Sequence, residues 1–572
     1  MSKFVIKKGL DIPIAGVPEQ VISEVKLPKT VAILGSDYNG LKPKMLVNIG
    51  DKVKRGTPLF CHKDSPEIFY VSPSNGSVKE INRGEKRVLL SVVIEVDNLD
   101  DKGINIVNAN ANEKNKIQFI KKCLFDSGLW TSFLTRPYSK VPTAESIPSS
   151  IFITAMDTEP LSPDAELIIN NNIKAFNEGL KNISVLAQGK VFVCTKGNSE
   201  IKIENFETHE FFGPHPSGLS GTHMHFLDPP NAEKTVWSIG YQDVIAIGNL
   251  FLTGYINIER TISISGPLAK KPRLVNTVLG ASLDEILEGE FDKSEDCRII
   301  SGSVLSGFHA FDDIAYLGKY SRQITIIKED KDKHFFGWIN PQPSKFSVMP
   351  VLLSAFTFFK LFNLTSNLNG GRRAMVPTGV FETLMPQDYL PTQLLRSLLV
   401  MDTDVAQVST EQAQQIAALI AGGLDPKAAV TQVTGDTDVT TTELQAVVAA
   451  VVAEVAASGG DVAAVASILT NAVVASAAAE PGASSQTVAA AAQAASSAAS
   501  SGAVTGAAAA PGATAATVQA AASAAATGAS SGAVTAAAAV TTVVVNVANV
   551  ASSASNGATS GATSAAVTVA AA

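Results

Sequence analysis

The change in composition near residue 405 places the strongest limit on how this chain can fold. No aromatic residue follows Tyr389, and no charged residue follows Glu480. A packed domain is stabilised mainly by large apolar side chains, and charge keeps its surface soluble. Residues 405–572 consist largely of Ala, Ser, Thr, Val and Gly, and they contain no aromatic residue and few charges. Any function therefore has to be sought in residues 1–404.

Residues 405–572 form a low-complexity, Ala-rich tail that contains a tandem repeat. Thirty residues that begin at Pro481 recur from Pro511, with 20 of the 30 positions identical. Thr440 and Glu443 have the spacing of a capping box, which predicts a helix start. Alanine favours helix, but its methyl group buries little area. We therefore expect no packed core from this segment.

Charge and cysteine content exclude several classes of function. The chain has 45 Lys and Arg and 53 Asp and Glu; the tail holds one Lys and eight of the acids, so residues 1–404 are nearly neutral. A nucleic-acid partner requires a basic surface, and none is predicted. Cys61, Cys123, Cys194 and Cys297 form no Cys-x-x-Cys pair. Neither a zinc ribbon nor an iron–sulfur cluster is expected, and no metal site is predicted.

The N-terminus and the hydropathy of residues 1–404 favour a cytoplasmic protein. The first residues lack a long apolar core and a small-residue cleavage site, which argues against export. No run of about 18 apolar residues occurs before the tail. The closest stretch, 351–362, contains Lys360 and is predicted to be a buried helix. We expect no transmembrane helix, although such a protein can lie on a membrane complex.

Residues 40–97 have the pattern of a small β-barrel. Gly56 and Gly76 lie at predicted tight turns, with alternating apolar residues on either side. Two facing half-motifs of this kind resemble the biotinyl/lipoyl-type flattened barrel. In that family a lysine at a hairpin tip carries the prosthetic group, and Ser65 occupies that position here. The module is therefore predicted to be structural.

Residues 115–255 are predicted to form an α/β domain. Short apolar strands at 150–156, 191–195 and 244–254 are separated by helical segments, which is typical of a sheet buried on both faces. Residues 261–289 follow the β-grasp order of strand, Gly-Pro turn, strand and acidic helix. The predicted fold is α/β multidomain, with these parts: 1–110, lipoyl-like β-barrel module; 111–258, Rossmann-like α/β domain; 259–335, β-grasp domain of the soluble-ligand-binding type; 336–404, helical segment; 405–572, Ala-rich tail.

Several long blocks of residues 1–404 occur in the order found in one known family. They are MLVNIGDKVKRGTPLF, NGSVKEINRGEKRVLLSVVIE, GPHPSGLSGTHMHFLDPP, ISISGPLAKKPRLVNT and LNGGRRAMVPTGVFETLMPQDYLPTQLLRSLLVMDTD. Together they resemble the family formed by the A subunits of bacterial sodium-translocating NADH:quinone reductases. The tail does not resemble that family, whose closing Pro-Gly-Lys-Tyr-Glu-Tyr block is absent here.

The resemblance implies how cofactors and partners are distributed. The family is similar to the flavin-bearing subunit of respiratory complex I, where a glycine-rich loop lets backbone amides approach a flavin phosphate. The corresponding loop here, 127–142, keeps only Gly128 and continues with bulky side chains. We expect no FMN and no redox cofactor in this chain. Flavins and iron centres are expected in partner subunits, some of them membrane subunits, with this chain peripheral on the cytoplasmic face of the inner membrane.

A quinone pocket is the predicted site. Quinone heads accept hydrogen bonds at two carbonyls and stack on aromatic or apolar walls, so His, Tyr, Arg and Trp suit them. The candidates lie in the loop 127–142 and in the histidine-rich block 215–226: Trp130, Phe133, Arg136, Tyr138, Lys140, His215, His223 and His225. Two histidines two apart on a strand would share one face and suit a metal. No carboxylate or cysteine completes a ligand set, so a loop with hydrogen-bonded histidines is favoured.

The predicted function is a peripheral subunit of the sodium-pumping complex that contributes to ubiquinone binding and to complex assembly. No catalytic residue is predicted, and the isolated chain is not expected to be catalytic. Three alternatives stay open. The candidate side chains only pack the domain or contact a neighbouring subunit; the chain is a scaffold without quinone contact; or it is a non-functional or engineered derivative, because its C-terminus is replaced.

Overall fold

The chain folds into two units of different composition, residues 1–372 and 373–572. The first unit contains the strands, and the second is helical. The computed structural model describes residues 2–331 except 26, 111–112 and 232–233, and then 345–348, 354, 360–368, 375, 378–399, 415–416, 419–420, 424–434, 441–479, 483–510, 514–539, 548, 550–556 and 558–559.

The elements of the first unit are, in chain order, β1 (Ser2–Val5), β2 (Glu19–Ser23), β3 (Thr30–Leu34), β4 (Pro43–Met45), β5 (Lys52–Val53), β6 (Pro58–His62), β7 (Ser65–Val71), β8 (Asn75–Arg83), β9 (Leu89–Asn98), α1 (Ile106–Ala109), α2 (Lys116–Asp126), β10 (Leu134–Arg136), β11 (Ile151–Ala155), α3 (Ala165–Asn171), α4 (Ile173–Ile183), β12 (Val191–Lys196), β13 (Thr208–Phe212), α5 (Ser220–Leu227), β14 (Val236–Gly240), α6 (Tyr241–Thr253), β15 (Glu259–Ser265), β16 (Arg273–Val278), α7 (Leu283–Ile286), β17 (Cys297–Ser301), β18 (Phe308–His309) and β19 (Gln323–Lys328). Those of the second unit are α8 (Val380–Leu384), α9 (Pro391–Leu399), α10 (Pro426–Thr434), α11 (Thr441–Ala457), α12 (Val462–Ala479), α13 (Ser485–Ala509) and α14 (Ala515–Ala539).

Strands β3 to β9 form two small antiparallel sheets with the orders β3-β9-β8-β5 and β4-β6-β7. Their shared core includes Leu59 and Phe60, which are fully buried. Gly56 has a φ of 94°, as the predicted tight turn requires. Gly76 is not in a turn. It lies in β8, where an added Cβ would overlap the carbonyl oxygen of Glu95 in the neighbouring strand, so close strand approach explains this glycine.

A six-stranded sheet follows, with the order β1-β13-β12-β11-β14-β10. Its strands are parallel except β10, which runs antiparallel to β14. Helices α3, α4 and α6 cover the face that carries Ile151 and Ile153, and α5 covers the face that carries Phe152. Both faces are therefore buried, as the short apolar strands predicted.

Residues 244–254 were predicted as a strand, but 244–253 lie in helix α6, and Gly254 follows its last residue. Nearly the whole helix is buried, so its sequence is a continuous apolar run without the polar face that marks a surface helix. Glycines let α4 and α6 pack closely: a Cβ on Gly248 would overlap the carbonyl of Ala175, and one on Gly179 would overlap that of Val244.

The third sheet has the order β18-β17-β19-β15-β16-β2. The first two strands of the chain do not join the N-terminal sheets with which they were grouped. Strand β1 pairs with β13, placing Ser2 opposite His209, and β2 pairs with β16. Local sequence pattern cannot reveal these pairings, because the partners are about 200 residues or more away along the chain.

The segment predicted to be helical, 336–404, is only partly so among the described residues. Helices α8 and α9 lie in it, but residues 360–368 contain no helix. Phe362 bridges to Ile14, and Thr365 bridges to Lys328. Most of 332–359 and the glycine pair at 370–371 lie outside the described residues.

The tail forms packed helices, so the expectation of no core is wrong for its described residues. Leu, Val and Ala side chains of α11–α14 are buried against one another. A Cβ on Gly506 of α13 would overlap the carbonyl of Ala453 in α11, and one on Gly532 of α14 would overlap that of Ser467 in α12. Small residues thus let the helix backbones approach closely. The close backbone contacts add van der Waals attraction that the small methyl side chains alone do not provide. The predicted cap at Thr440 lies outside the described residues.

Helix α12 is long and apolar enough to cross a membrane, the one such helix found among the described residues. Its mean hydropathy is 1.9, and 56% of it is buried. Length and composition do not separate a membrane span from the core helix of a bundle, and α12 packs in the interior of the tail.

Candidate functional site

The aromatic residues of the loop 127–142 lie in the core. Trp130 and Phe133 are fully buried. The indole nitrogen of Trp130 donates a hydrogen bond to the carbonyl of Pro142 at 2.8 Å, and its ring lies edge-on to Trp237, with 5.2 Å between centroids. Phe133 packs 5.4 Å from Trp237. These side chains pack the loop against β14 in the core, and neither side chain is exposed to a pocket.

The polar candidates of the same loop lie at its outer turn. Arg136 is half-buried in β10, where burial lowers its pKa. Tyr138 is 73% exposed. Lys140 is exposed as well, and its carbonyl accepts a hydrogen bond from the amide of Thr135 at 2.8 Å. The loop therefore divides its predicted site residues between core and surface.

The histidine-rich block contains a helix, α5, where a strand face was considered. His223 and His225 are two apart on this helix and point in nearly opposite directions. His223 is fully buried, with its Nε2 2.9 Å from the carbonyl oxygen of Ser217, and burial lowers the pKa of His223 to about 3. His225 is half-exposed beside Phe226. No group of three metal-ligating side chains occurs among the described residues.

His215 precedes α5 and makes hydrogen bonds through both its side chain and its backbone. Its Nδ1 lies 3.2 Å from the hydroxyl of Thr158, and its backbone amide donates to the carboxylate of Asp11 at 2.9 Å. The side chains of His215 and His223 therefore both lie at hydrogen-bond distance from oxygen atoms of the chain. The structure does not bring the eight candidate side chains together into one pocket.

The loop 127–142 and the histidine-rich block do meet, at a crevice of about 150 Å³ beside the carboxyl ends of β11 and β14. Strand β12 lies on one side of β11 and β14 on the other, so the order of the sheet reverses at this point. Ligands of open α/β sheets bind at such reversals. The lining residues are Ser132, Leu134, Thr154, Gly218, Leu219, Ser220, Ser238, Ile239, Gly240, Gln242, Asp243, Arg260, Lys319, Tyr320, Ser321 and Arg322. The eight candidates are not among them.

Two glycines have open space beside them: Gly240, which lines this crevice, and Gly221, which is exposed and does not line it. Gly240 ends β14 with an ordinary φ of −83°, and Gly221 lies in the first turn of α5. A Cβ added to either would meet no atom within 4 Å. Neither a left-handed backbone nor close protein packing requires these glycines. Open space beside the backbone is what a ligand needs in order to approach it closely.

A buried ionic cluster forms one wall of the crevice. The Oδ1 atom of Asp243 accepts hydrogen bonds from Arg260 at 2.8 Å, Lys319 at 3.3 Å and the hydroxyl of Ser132 at 3.1 Å. Burial alone would raise the pKa of Asp243, but the charges of Lys319 and Arg260 outweigh it and hold this pKa below its ordinary value. Asp243 is therefore ionised at neutral pH.

The same cluster reaches a second cavity, of about 40 Å³, in the interior of the first unit. Arg260 and Lys319 line both spaces. Asp37 lines the interior cavity, and its carboxylate accepts a hydrogen bond from the backbone amide of Lys319 at 2.8 Å. Burial raises the pKa of Asp37 to about 7, although that hydrogen bond and the Lys319 charge oppose the shift.

A second ion pair stands at the mouth of the crevice. Arg322 lies 3.3 Å from Asp157, and its guanidinium stacks 5.4 Å from the ring centre of Tyr241. Burial raises the pKa of Asp157, and the Arg322 charge opposes that shift. No spacing in the sequence points to these groups, since residues 157, 243, 260 and 319–322 come from different elements. The sequence did contain one indication of these groups. Asp243 is a charged residue beside the apolar run 244–254, and a charge in a buried helix needs charged partners.

An α/β sheet with a polar crevice at its switch point, together with a β-sandwich and a mixed sheet, defines a multidomain α/β protein. Three family descriptions match the chain: "NqrA N-terminal barrel-sandwich hybrid domain" over residues 4–97, "NqrA second alpha/beta domain" over 115–256, and "NQRA C-terminal domain" over 261–310. The barrel-type N-terminal module and the mixed α/β architecture are thereby confirmed.

Similar proteins narrow this class to one family, the A subunits of Na(+)-translocating NADH-quinone reductases. The relative from Vibrio alginolyticus is 50% identical over 404 residues, which are 70% of this chain and 90% of that protein. The relative from Histophilus somni (strain 2336) is 49% identical over 407 residues, with the same shares, and that from Marinomonas sp. (strain MWYL1) is 48% identical over 407 residues, 71% and 91%. The chain belongs to the family of Na(+)-translocating NADH-quinone reductase A subunits.

Proposed function

We propose that this chain is a peripheral subunit of a sodium-pumping NADH:quinone oxidoreductase and that it binds the quinone head group in the crevice at β11 and β14. The relatives are named as subunits of a Na(+)-translocating NADH-quinone reductase, which supports membership in such a complex. The observation that carries the quinone assignment is the crevice itself, open beside Gly240 and bounded by hydrogen-bond donors.

The chemistry of the crevice suits a quinone head. The hydroxyls of Thr154 and Ser220 can donate to one carbonyl, and Lys319 can donate to the other, while Leu134 and Ile239 supply apolar wall. A volume of about 150 Å³ is smaller than typical drug-sized pockets, so it accommodates a ring and leaves an isoprenoid chain outside.

The loop 127–142 supports the absence of a flavin in this chain. Gly128 has a φ of 69°, and a Cβ there would press on Val71, so local packing explains the one glycine retained. The amides of Leu129, Thr131 and Phe133 donate to acceptors within the loop itself. They are not directed at a phosphate. Electron carriers then reside in partner subunits, and the isolated chain does not oxidise NADH.

Two edge strands favour a role in assembly as well. Strands β1 and β2 end their sheets, and they carry Val5 and Val21, which are 67% and 65% exposed. An exposed apolar edge pairs readily with another chain. This observation also supports the scaffold alternative, in which the chain holds neighbouring subunits on the cytoplasmic face of the membrane and does not contact quinone.

A photoreactive quinone distinguishes the two roles. We expect labelling of peptides that contain 218–220 or 238–240. Gly240→Leu places a side chain in the open space without a φ penalty and is expected to reduce labelling at least tenfold with unchanged folding. Gly221→Ala, which adds only a methyl to the first turn of α5, serves as the control. Labelling elsewhere, or labelling unaffected by G240L, would leave the scaffold role.

A further inference from the structure

Two buried cations, Arg260 and Lys319, lie between the crevice and the interior cavity, so they interact electrostatically with groups in both. Arg260 and Lys319 are 4% and 7% exposed and line both spaces. Asp243 binds both of them on the crevice side, and Asp37 is bonded to the backbone of Lys319 on the cavity side. Because Arg260 and Lys319 are buried, a charge placed in the crevice acts on Asp37 more strongly than it would through bulk solvent.

The charge balance of the cluster near pH 7 changes with the proton of Asp37. Burial lowers the pKa of Lys319, and the charge of Asp243 opposes that shift. When Asp37 and Asp243 are both ionised, their two negative charges balance Arg260 and Lys319. When Asp37 is protonated, the cluster carries one net positive charge. Because burial raises the pKa of Asp37 to about 7, this proton exchanges in the neutral range, while Asp243 stays ionised.

The other titratable groups around Asp37 are three tyrosines. Tyr38 follows it in the chain and packs edge-on against Tyr70, at 4.6 Å, and Tyr320, at 6.4 Å between ring centres. Burial raises the pKa of all three phenols above the ordinary value of 10.0, so they stay neutral near pH 7. The neighbouring cations are Lys319 and Arg260, already counted in the cluster.

We propose that Asp37 takes up a proton when a negatively charged quinone species occupies the crevice, so that anion binding and Asp37 protonation are linked. The inference rests on the proposed quinone function of the crevice. No bond in the ligand forms or breaks: one proton passes from solvent to the Asp37 carboxylate, which becomes a carboxylic acid. A cavity of about 40 Å³ beside that carboxylate has room for water.

Linkage is reciprocal, so protonation of Asp37 strengthens binding of the anion by the same factor. Affinity for an anionic quinone is therefore highest below pH 7 and decreases above it. Coupling between two sites in one protein changes affinity by roughly 5–150-fold. We expect at least about a fivefold weakening between pH 6 and pH 8, and no such change for a neutral quinone of similar shape.

The test compares two probes by isothermal titration calorimetry on the full chain. 2-Hydroxy-1,4-naphthoquinone is an anion throughout this pH range, and 2-methoxy-1,4-naphthoquinone is its neutral counterpart. Titrations in buffers of different ionisation enthalpy give the number of protons taken up. We expect uptake near pH 7 with the hydroxy compound alone, and weaker binding of both compounds to G240L.

Asp37→Asn keeps the size and the acceptor oxygen of the side chain and removes its titration. This variant is expected to bind the anion with one affinity at pH 6 and pH 8 and without proton uptake. Asp64→Asn, at an exposed carboxylate, is the matched control and should behave as the unaltered chain. Infrared difference spectra of the unaltered chain supply a second readout: a protonated carboxyl band should appear when the anion binds.

The outcomes separate this inference from the proposed function. If both compounds bind in the crevice but neither affinity depends on pH, or D37N keeps the pH dependence, the linkage is refuted and the quinone site stands. If neither compound binds, the proposed function fails and the inference with it. Should D37N not fold, the absence of the infrared band in the unaltered chain refutes the linkage by itself.

Discussion

Replacing Asp37 with asparagine should stabilise the first unit at alkaline pH. An unfolded chain ionises this carboxyl with a pKa near 3.8, whereas the folded chain holds its pKa at about 7. Below pH 4 both states are protonated. Between pH 4 and 7 only the folded state keeps the proton, so the contribution of Asp37 to stability declines as pH rises. Above pH 7 the folded state bears the full cost of a buried carboxylate.

The size of this cost follows from the two pKa values. A difference of about 3 units, at 1.36 kcal/mol for each, corresponds to about 4 kcal/mol. Asp37 is only half-buried, and solvent reduces the cost, so we expect about 2–4 kcal/mol. Asparagine resembles the protonated acid, so D37N should match the unaltered chain at pH 4 and exceed its stability by that amount at pH 8.

Urea unfolding followed by tryptophan fluorescence measures this difference. Trp130 and Trp237 are buried in the core of the first unit, so their fluorescence reports on its unfolding. The comparison must be between variants, because His223 acts in the opposite sense: its folded pKa of about 3 makes stability increase with pH up to about 6.5. A D37N chain that gains nothing between pH 4 and pH 8, or that is less stable at pH 8, would refute the assigned burial of Asp37. D64N should show no such gain.

Further variants test the other features. Asp243→Asn leaves Arg260 and Lys319 without their shared anion and should cost about 3–5 kcal/mol in the same urea assay; a loss under 1 kcal/mol would contradict the cluster. His223→Gln should lose less stability than the unaltered chain between pH 6.5 and pH 4, by about 3 kcal/mol, because it has no imidazole to protonate on unfolding; parallel pH profiles would contradict this. Gly506→Val should lower the helical melting temperature of the tail, measured by circular dichroism, more than Gly506→Ala does, because its side chain adds bulk where even a Cβ overlaps the carbonyl of Ala453; equal effects would show that the close helix contact is not formed.

Local pattern predicted much of the fold where pairing partners are near in sequence. The strands Ile151–Ala155 and Val191–Lys196 lie where the short apolar runs placed them. The error at Tyr241–Thr253 has a physical cause. A helix buried on all sides has the same apolar run as a buried strand, and period alone does not separate them. The expectation that the tail has no core was wrong because it counted only the area that side chains bury. It did not include the close backbone contacts that glycine allows between helices.

The two segments chosen from the sequence adjoin the crevice, but none of the eight chosen residues lines it, and their role in quinone binding stays a prediction. Both chosen segments reach the crevice, but through Ser132 and Leu134 and through Gly218–Ser220. Aromatic residues were predicted to line the site because they suit quinones. Trp130 and Phe133 instead fill the core, where they pack against Trp237 of β14. A residue type indicates which chemistry is available. Which side of a loop faces a cavity is decided by tertiary packing, which one sequence does not display.

The position of the ionic cluster gives a reason for burying charges whose desolvation is unfavourable. Asp37 follows strand β3 of the N-terminal sandwich, and Asp243 lies on α6, which packs on the parallel sheet. Arg260 lies in β15 of the third sheet, and Lys319 lies in the turn before β19 of that sheet. Apolar residues of similar volume would hold three domains together at least as well, because buried ion pairs seldom repay their desolvation. Charges at this junction can couple the protonation of Asp37 to the charge of a ligand in the crevice, as proposed above. On that proposal, we expect an anionic quinone to bind more tightly than its neutral form.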